Sequence, residues 1–127
     1  MLTGLSPHLL LSPQEHNKGD SSLRFMQIWI MPRERGLEPQ YGGYDGTRTE
    51  SKVARKNRLQ HLVGDRRADP STCVEGNAPP VLIEQDCNIH VTELDPGNTV
   101  SLSISKGRQA YVVCAEGMAE LLSLIHI

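Results

Sequence analysis

The sequence predicts an all-β fold, a sandwich or barrel of short strands. Two stretches carry that reading. From Val81 onward, short apolar runs recur at about ten-residue intervals with turn residues between them, the spacing of antiparallel β architectures. Upstream, Phe25-Met26-Gln27-Ile28-Trp29-Ile30-Met31 holds six apolar residues in seven, aromatic and β-branched types among them. That is the composition of a strand covered on both faces.

Composition limits what such a fold can do. A chain of 127 residues suffices for one ordinary domain, but 38% hydrophobic content with a single Phe and a single Trp is lean for a well-filled core. The net charge is −2, from 13 basic and 15 acidic residues that are intermixed, so no global field draws in nucleic acid or an anionic membrane. Cys73, Cys87 and Cys114 are odd in number, widely spaced and without a Cys-x-x-Cys pair. They argue for a reducing compartment and inert thiols rather than a disulfide framework. Leu9-Leu10-Leu11 lies between Pro7 and Pro13 and lacks a basic flank, so it does not read as a signal peptide. The apolar runs are too short to cross a membrane as helices. The expected location is the cytoplasm, with the nucleus added in a eukaryote.

Taken in order, residues 1–20 show no useful period. His8, Glu15 and His16 are potential ligands, since imidazole and carboxylate together suit iron, manganese or zinc. No compact His-x-His pair converges on one ion, however, and they read as surface residues. The strand over Phe25–Met31 should stop at Pro32, which has no amide hydrogen for a ladder. Pro39, Gly42, Gly43 and Gly46 then keep the next segment from becoming helix.

Residues 47–80 read as a polar connector between two β units. A weak helical pattern runs through Glu50 to Leu62, with Val53, Leu59 and Leu62 on one face, and Gly64, Pro70, Gly76, Pro79 and Pro80 break anything longer. The basic cluster Lys52 to Arg58, KVARKNR, reads as a solvated face rather than a phosphate-binding patch. His61, beside Leu62 and Val63, reads as packed or half-exposed, because no acid partner or nucleophile lies at a recognisable spacing.

The second β unit opens with Val81-Leu82-Ile83. Cys87 to Leu94 then alternates, with Cys87, Ile89 and Val91 facing one way and Asn88, His90 and Thr92 the other. Asp95-Pro96-Gly97-Asn98 is a turn in which proline pre-sets φ and glycine accepts positive φ. Strands over Val100–Ile104 and Ala110–Ala115 follow, joined by a turn at Lys106-Gly107-Arg108. His90 reads as alone on its polar face, short of the two or three convergent partners a metal needs. Glu84 and Asp86 read as a solvated carboxylate pair, and Cys114 as a small hydrophobe in an apolar strand. The final six residues, Leu122 to Ile127, LSLIHI, resemble the translation of a transposase adapter used in sequencing libraries. They are expected to be a scar rather than native protein.

FMQIWIMPRERGLEPQY, with HNKGD before it, HLVGD within the connector, and QDCNIHVTELDPGNTV and GRQAYVVCAEG after it, resembles the middle of a pirin-family bicupin. This group includes proteins with quercetin 2,3-dioxygenase activity. The likeness spans residues 16–121. It implies the end of an N-terminal cupin over 16–46, an inter-domain connector over 47–80 and the first strands of a C-terminal cupin over 81–121. Residues 1–15 depart from the family, as a frameshift or mistaken start would make them.

The resemblance implies an iron(II) centre in the N-terminal barrel, held by a His-x-His pair and a His-Ser-Glu segment. The pair has no counterpart here, and the second segment falls on Leu11, Ser12 and Pro13, where only the serine agrees. No catalytic, cofactor-binding or metal-binding residue is therefore carried over. The implied function is that of a flavonol dioxygenase, inactive in this chain for want of its metal site, with a small aromatic substrate and no direct contact with nucleic acid or membrane. The alternative is an iron-dependent transcriptional co-regulator.

Overall fold

Val63 and Val81 are the two hydrophobic side chains buried among the described residues, 2% and 7% exposed, and they face each other across adjacent strands. The computed structural model describes residues 17–69 and 78–122. In chain order they form α1 (Thr49–Arg55), β1 (Gln60–Asp65), β2 (Val81–Ile83) and β3 (Ile89–Val91). Strand outweighs helix, as an all-β class requires, and the one helix is seven residues long.

The sheet is mixed, in the order β2-β1-β3. β1 pairs in parallel with β2, placing Val63 against Val81, Gly64 against Leu82 and Asp65 against Ile83. It pairs antiparallel with β3, placing Gln60 against Val91 and His61 against His90, with an irregularity between His61 and Val63. The stretch expected to be a surface connector thus supplies the central strand. Its short alternation in QHLVGD was hidden behind Gly64, which reads as a breaker in sequence. In space that glycine allows close approach: a Cβ there would lie 2.6 Å from Cγ of Pro79 and 3.1 Å from Cε1 and Nε2 of His61.

Helix α1 forms where a weak helical pattern was expected but ends at Arg55. Asp45 organises its approach: its Oδ1 accepts from the amide and hydroxyl of Thr47, at 2.9 and 2.6 Å, and its carbonyl accepts from the hydroxyl of buried Ser51 at 2.7 Å. Asn57 stops the chain from continuing as helix by adopting φ 55°, a left-handed conformation asparagine tolerates better than most residues. The helix end is then stitched to the segment after β3. Asn57 N donates to Glu93 O at 2.8 Å, and Glu93 N donates to Arg55 O at 2.9 Å.

The predicted turn at Asp95–Asn98 forms, with Asn98 N donating to Asp95 O at 3.1 Å and Gly97 at φ 80°. The turn at Ser105–Arg108 closes in the same way at 3.0 Å. Its arms do not. Val100–Ile104 and Ala110–Ala115 form no ladder, and Tyr111 is 93% exposed. Phe25–Met31, expected as a strand buried on both faces, likewise forms no strand ladder, with Trp29 74% exposed. The reason is common to all three. Alternation and apolarity specify which face a strand would bury, but a ladder and a covering layer must come from elsewhere. Among the described residues, none pairs with them in a strand ladder.

Candidate functional site, a histidine pair on the central strands

Where the sequence placed two isolated histidines, the register of β1 and β3 brings them together. His61 and His90 are direct cross-strand partners. Their rings stack with centroids 4.5 Å apart and planes 17° from parallel. His61 Nε2 lies 2.9 Å from Oδ1 of Asn88. With that oxygen accepting, the His61 proton sits on Nε2 and Nδ1 keeps a bare lone pair. His61 Nδ1 and His90 Nε2 are both buried and without a hydrogen-bond partner. Burial, and then the neighbouring His61, hold the pKa of His90 below the ordinary 6.5. The pair was missed because it spans 29 positions of sequence and rests on a strand pairing that the connector reading excluded.

The stack is not a chelate. An imidazole lone pair lies in its ring plane, and two nearly parallel planes do not meet within the roughly 2.0–2.1 Å reach of a zinc–nitrogen bond. Among the described residues no three His, Cys, Asp or Glu groups are placed to hold a metal ion. The described donor set therefore does not fit the iron implied by the family resemblance. His8, Glu15, His16 and Cys73, together with Leu11, Ser12, Pro13 and residues 123–127 of the LSLIHI end, lie outside the described residues.

Glu84 and Asp86, expected as a solvated pair, are each taken up by arginine. Glu84 is bridged by Arg66 at 3.1 Å and Arg67 at 3.2 Å, while Arg67 also reaches Glu34 at 2.7 Å. Asp86 is held by both terminal nitrogens of Arg108, at 2.7 and 2.9 Å, and this contact lowers its pKa. Nearby, Arg33 pairs with Asp65 at the end of β1. That hydrogen bond, followed by one from the Arg67 amide, lowers the Asp65 pKa. These pairs tie Arg33 and Glu34 to the chain leaving β1 and β2.

The cluster Lys52–Arg58 is also more engaged than a solvated face. Arg55 Nε donates to Glu93 Oε1 at 2.6 Å, and Lys56 pairs with Asp95. Asp95 also accepts from Asn57 Nδ2 at 3.1 Å. Two of the cations a phosphate site would need are therefore committed to carboxylates. Cys114 is exposed rather than packed in a strand. Burial pushes the Cys87 thiol up, with Asp86 adding to it, so that sulfur is a poor nucleophile. No described helix is long and apolar enough to cross a membrane.

Residues 73–123 match the family described as "Quercetinase C-terminal cupin domain". The fold class that follows is cupin, in agreement with the preponderance of strand over helix among the described residues. Over 108 residues the chain is 29% identical to "Putative quercetin 2,3-dioxygenase PA1210" of Pseudomonas aeruginosa, a match covering 84% of this chain and 41% of that protein. The chain thus spans less than half the length of that curated relative. Both matches are to quercetinase-type proteins, in line with the pirin resemblance of the sequence motifs. No solved structure matches it.

Proposed function

We propose that this chain is part of a metal-dependent oxidoreductase of the quercetin 2,3-dioxygenase kind, in which the described residues serve as scaffold rather than reaction centre. The observation that carries this reading is the quercetinase C-terminal cupin match over residues 73–123, set against described residues that offer no convergent metal ligands. In this reading the substrate is a flavonol and the metal is iron(II), held by residues other than those described. An open metal position would orient the substrate and dioxygen. A reducing, cytoplasmic setting belongs to the same proposal and rests on the unbridged thiols of Cys87 and Cys114.

The test compares oxygen uptake with quercetin by an iron-loaded protein of the relative's full length and by the 127-residue chain. Uptake by the long form alone is the expected result. No uptake by the long form, with iron-dependent partner binding retained, would replace the enzyme with a binding module. Turnover by the short chain, with one equivalent of bound iron, would overturn the scaffold role.

A further inference from the structure

We propose that the His61–His90 stack is an acid-sensitive latch, which holds β3 against β1 while the His90 imidazole is neutral and releases it when His90 is protonated. The rings occupy direct partner positions on β1 and β3, stacked at 4.5 Å. Two neutral rings can share that spacing. One imidazolium in it must keep a charge away from water, and a second adds like-charge repulsion.

The buried nitrogens sharpen the effect. His90 Nε2 and His61 Nδ1 have no partner, so a charge on the His90 ring finds no acceptor at Nε2 to repay its desolvation. Nor does a neighbouring carboxylate stand ready to stabilise the cation. Along β1, Asp65 is paired with Arg33, and beyond β2, Glu84 is bridged by Arg66 and Arg67. On the approach to β3, Asp86 is held by Arg108 and Cys87 is a protonated thiol. At the α1 side, Glu93 and Asp95 are paired with Arg55 and Lys56. Asn88, on His61 Nε2, and Gly64, close to the His61 edge, are uncharged.

The sign follows from burial lowering the folded-state pKa of His90 below its ordinary 6.5. The unfolded or opened chain binds the proton more readily, so the contribution to stability is fully present above about pH 6.5 and is lost as the pH falls through the depressed value. β2 should be spared, because its ladder with β1 carries no histidine.

The test measures amide hydrogen-exchange protection factors on the full chain at about pH 7.5 and about pH 5. The expected result is a selective fall, of about tenfold, for the amides shared by β1 and β3. The β1–β2 amides should change by less than about twofold. In His90→Phe, which keeps a stacked ring but cannot titrate, the selective fall should vanish. Should that variant not fold, the ring-proton titration of His90 in the unaltered protein decides the matter: its midpoint should lie below that of a free histidine and coincide with the loss of β1–β3 protection. A protection ratio between the two seams that does not change with pH, an equal fall in folded His90→Phe, or a His90 midpoint at the free value would overturn the proposal.

Discussion

At the scale of single residues, Gly64 decides whether the histidine pair can form. Gly64→Ala would drive its new Cβ to 2.6 Å from the Pro79 ring, and a proline ring in chain has little room to retreat. We expect a loss of roughly 1–3 kcal/mol in urea denaturation, together with loss of the His61–His90 ring-current shifts in proton spectra. Unchanged shifts in a folded variant would show that the close approach is not required. Asp65 gives a separate pH signature. Its folded-state pKa lies below the ordinary 3.8, so its contribution is complete above that value and disappears as the pH falls through the lowered one. Asp65→Asn should therefore flatten the stability profile in strong acid and lower stability around pH 6 without changing its slope there, as followed by thermal melts across pH.

At the scale of elements, β1 joins the other two strands into one sheet, and its Val63 faces Val81 in the small core. Val63→Ala should cost roughly 1–2 kcal/mol by chemical denaturation, a large share for so small a core. The helix end offers a second check. Asn57→Ala loses both a residue suited to φ 55° and the contacts to Asp95, whereas Asn57→Gly loses only the contacts. The alanine variant should be the less stable of the two by about 1 kcal/mol; equal melting temperatures would mean the left-handed position is not strained.

The elements were unevenly legible. Val81–Ile83 and the alternation around Ile89–Val91 could be read because each is short, apolar and bounded by turn formers. The Asp95–Asn98 turn could be read because proline and glycine have few other uses in that order. β1 was masked by its glycine and polar flanks, and the pairing of His61 with His90 depends on register, a relation between distant segments that no local pattern encodes. Phe25–Met31 shows the reverse failure: its composition describes an environment the described residues do not supply.

At the scale of the molecule, apolar surface is left uncovered on a fold clasped largely by charge. Phe25, Met26, Trp29 and Met31 are exposed, as are Tyr111 and Val112. Trp29 is the single tryptophan, so its fluorescence reports this directly. Iodide should quench nearly all of it, and a shielded, blue-shifted emission would show that the run is covered in solution. The cupin class could be recognised from the sequence motifs, yet the mixed parallel and antiparallel pairing around β1 could not, since strand order is settled by long-range contacts. That order has a consequence for heredity. The family match begins at residue 73, downstream of the strand that β2 and β3 both grip. A genetic exchange with its breakpoint between Arg67 and Cys73 would move the residues that carry the family match and still separate two strands from their shared partner, so the border of the sequence match and the border of the sheet differ here.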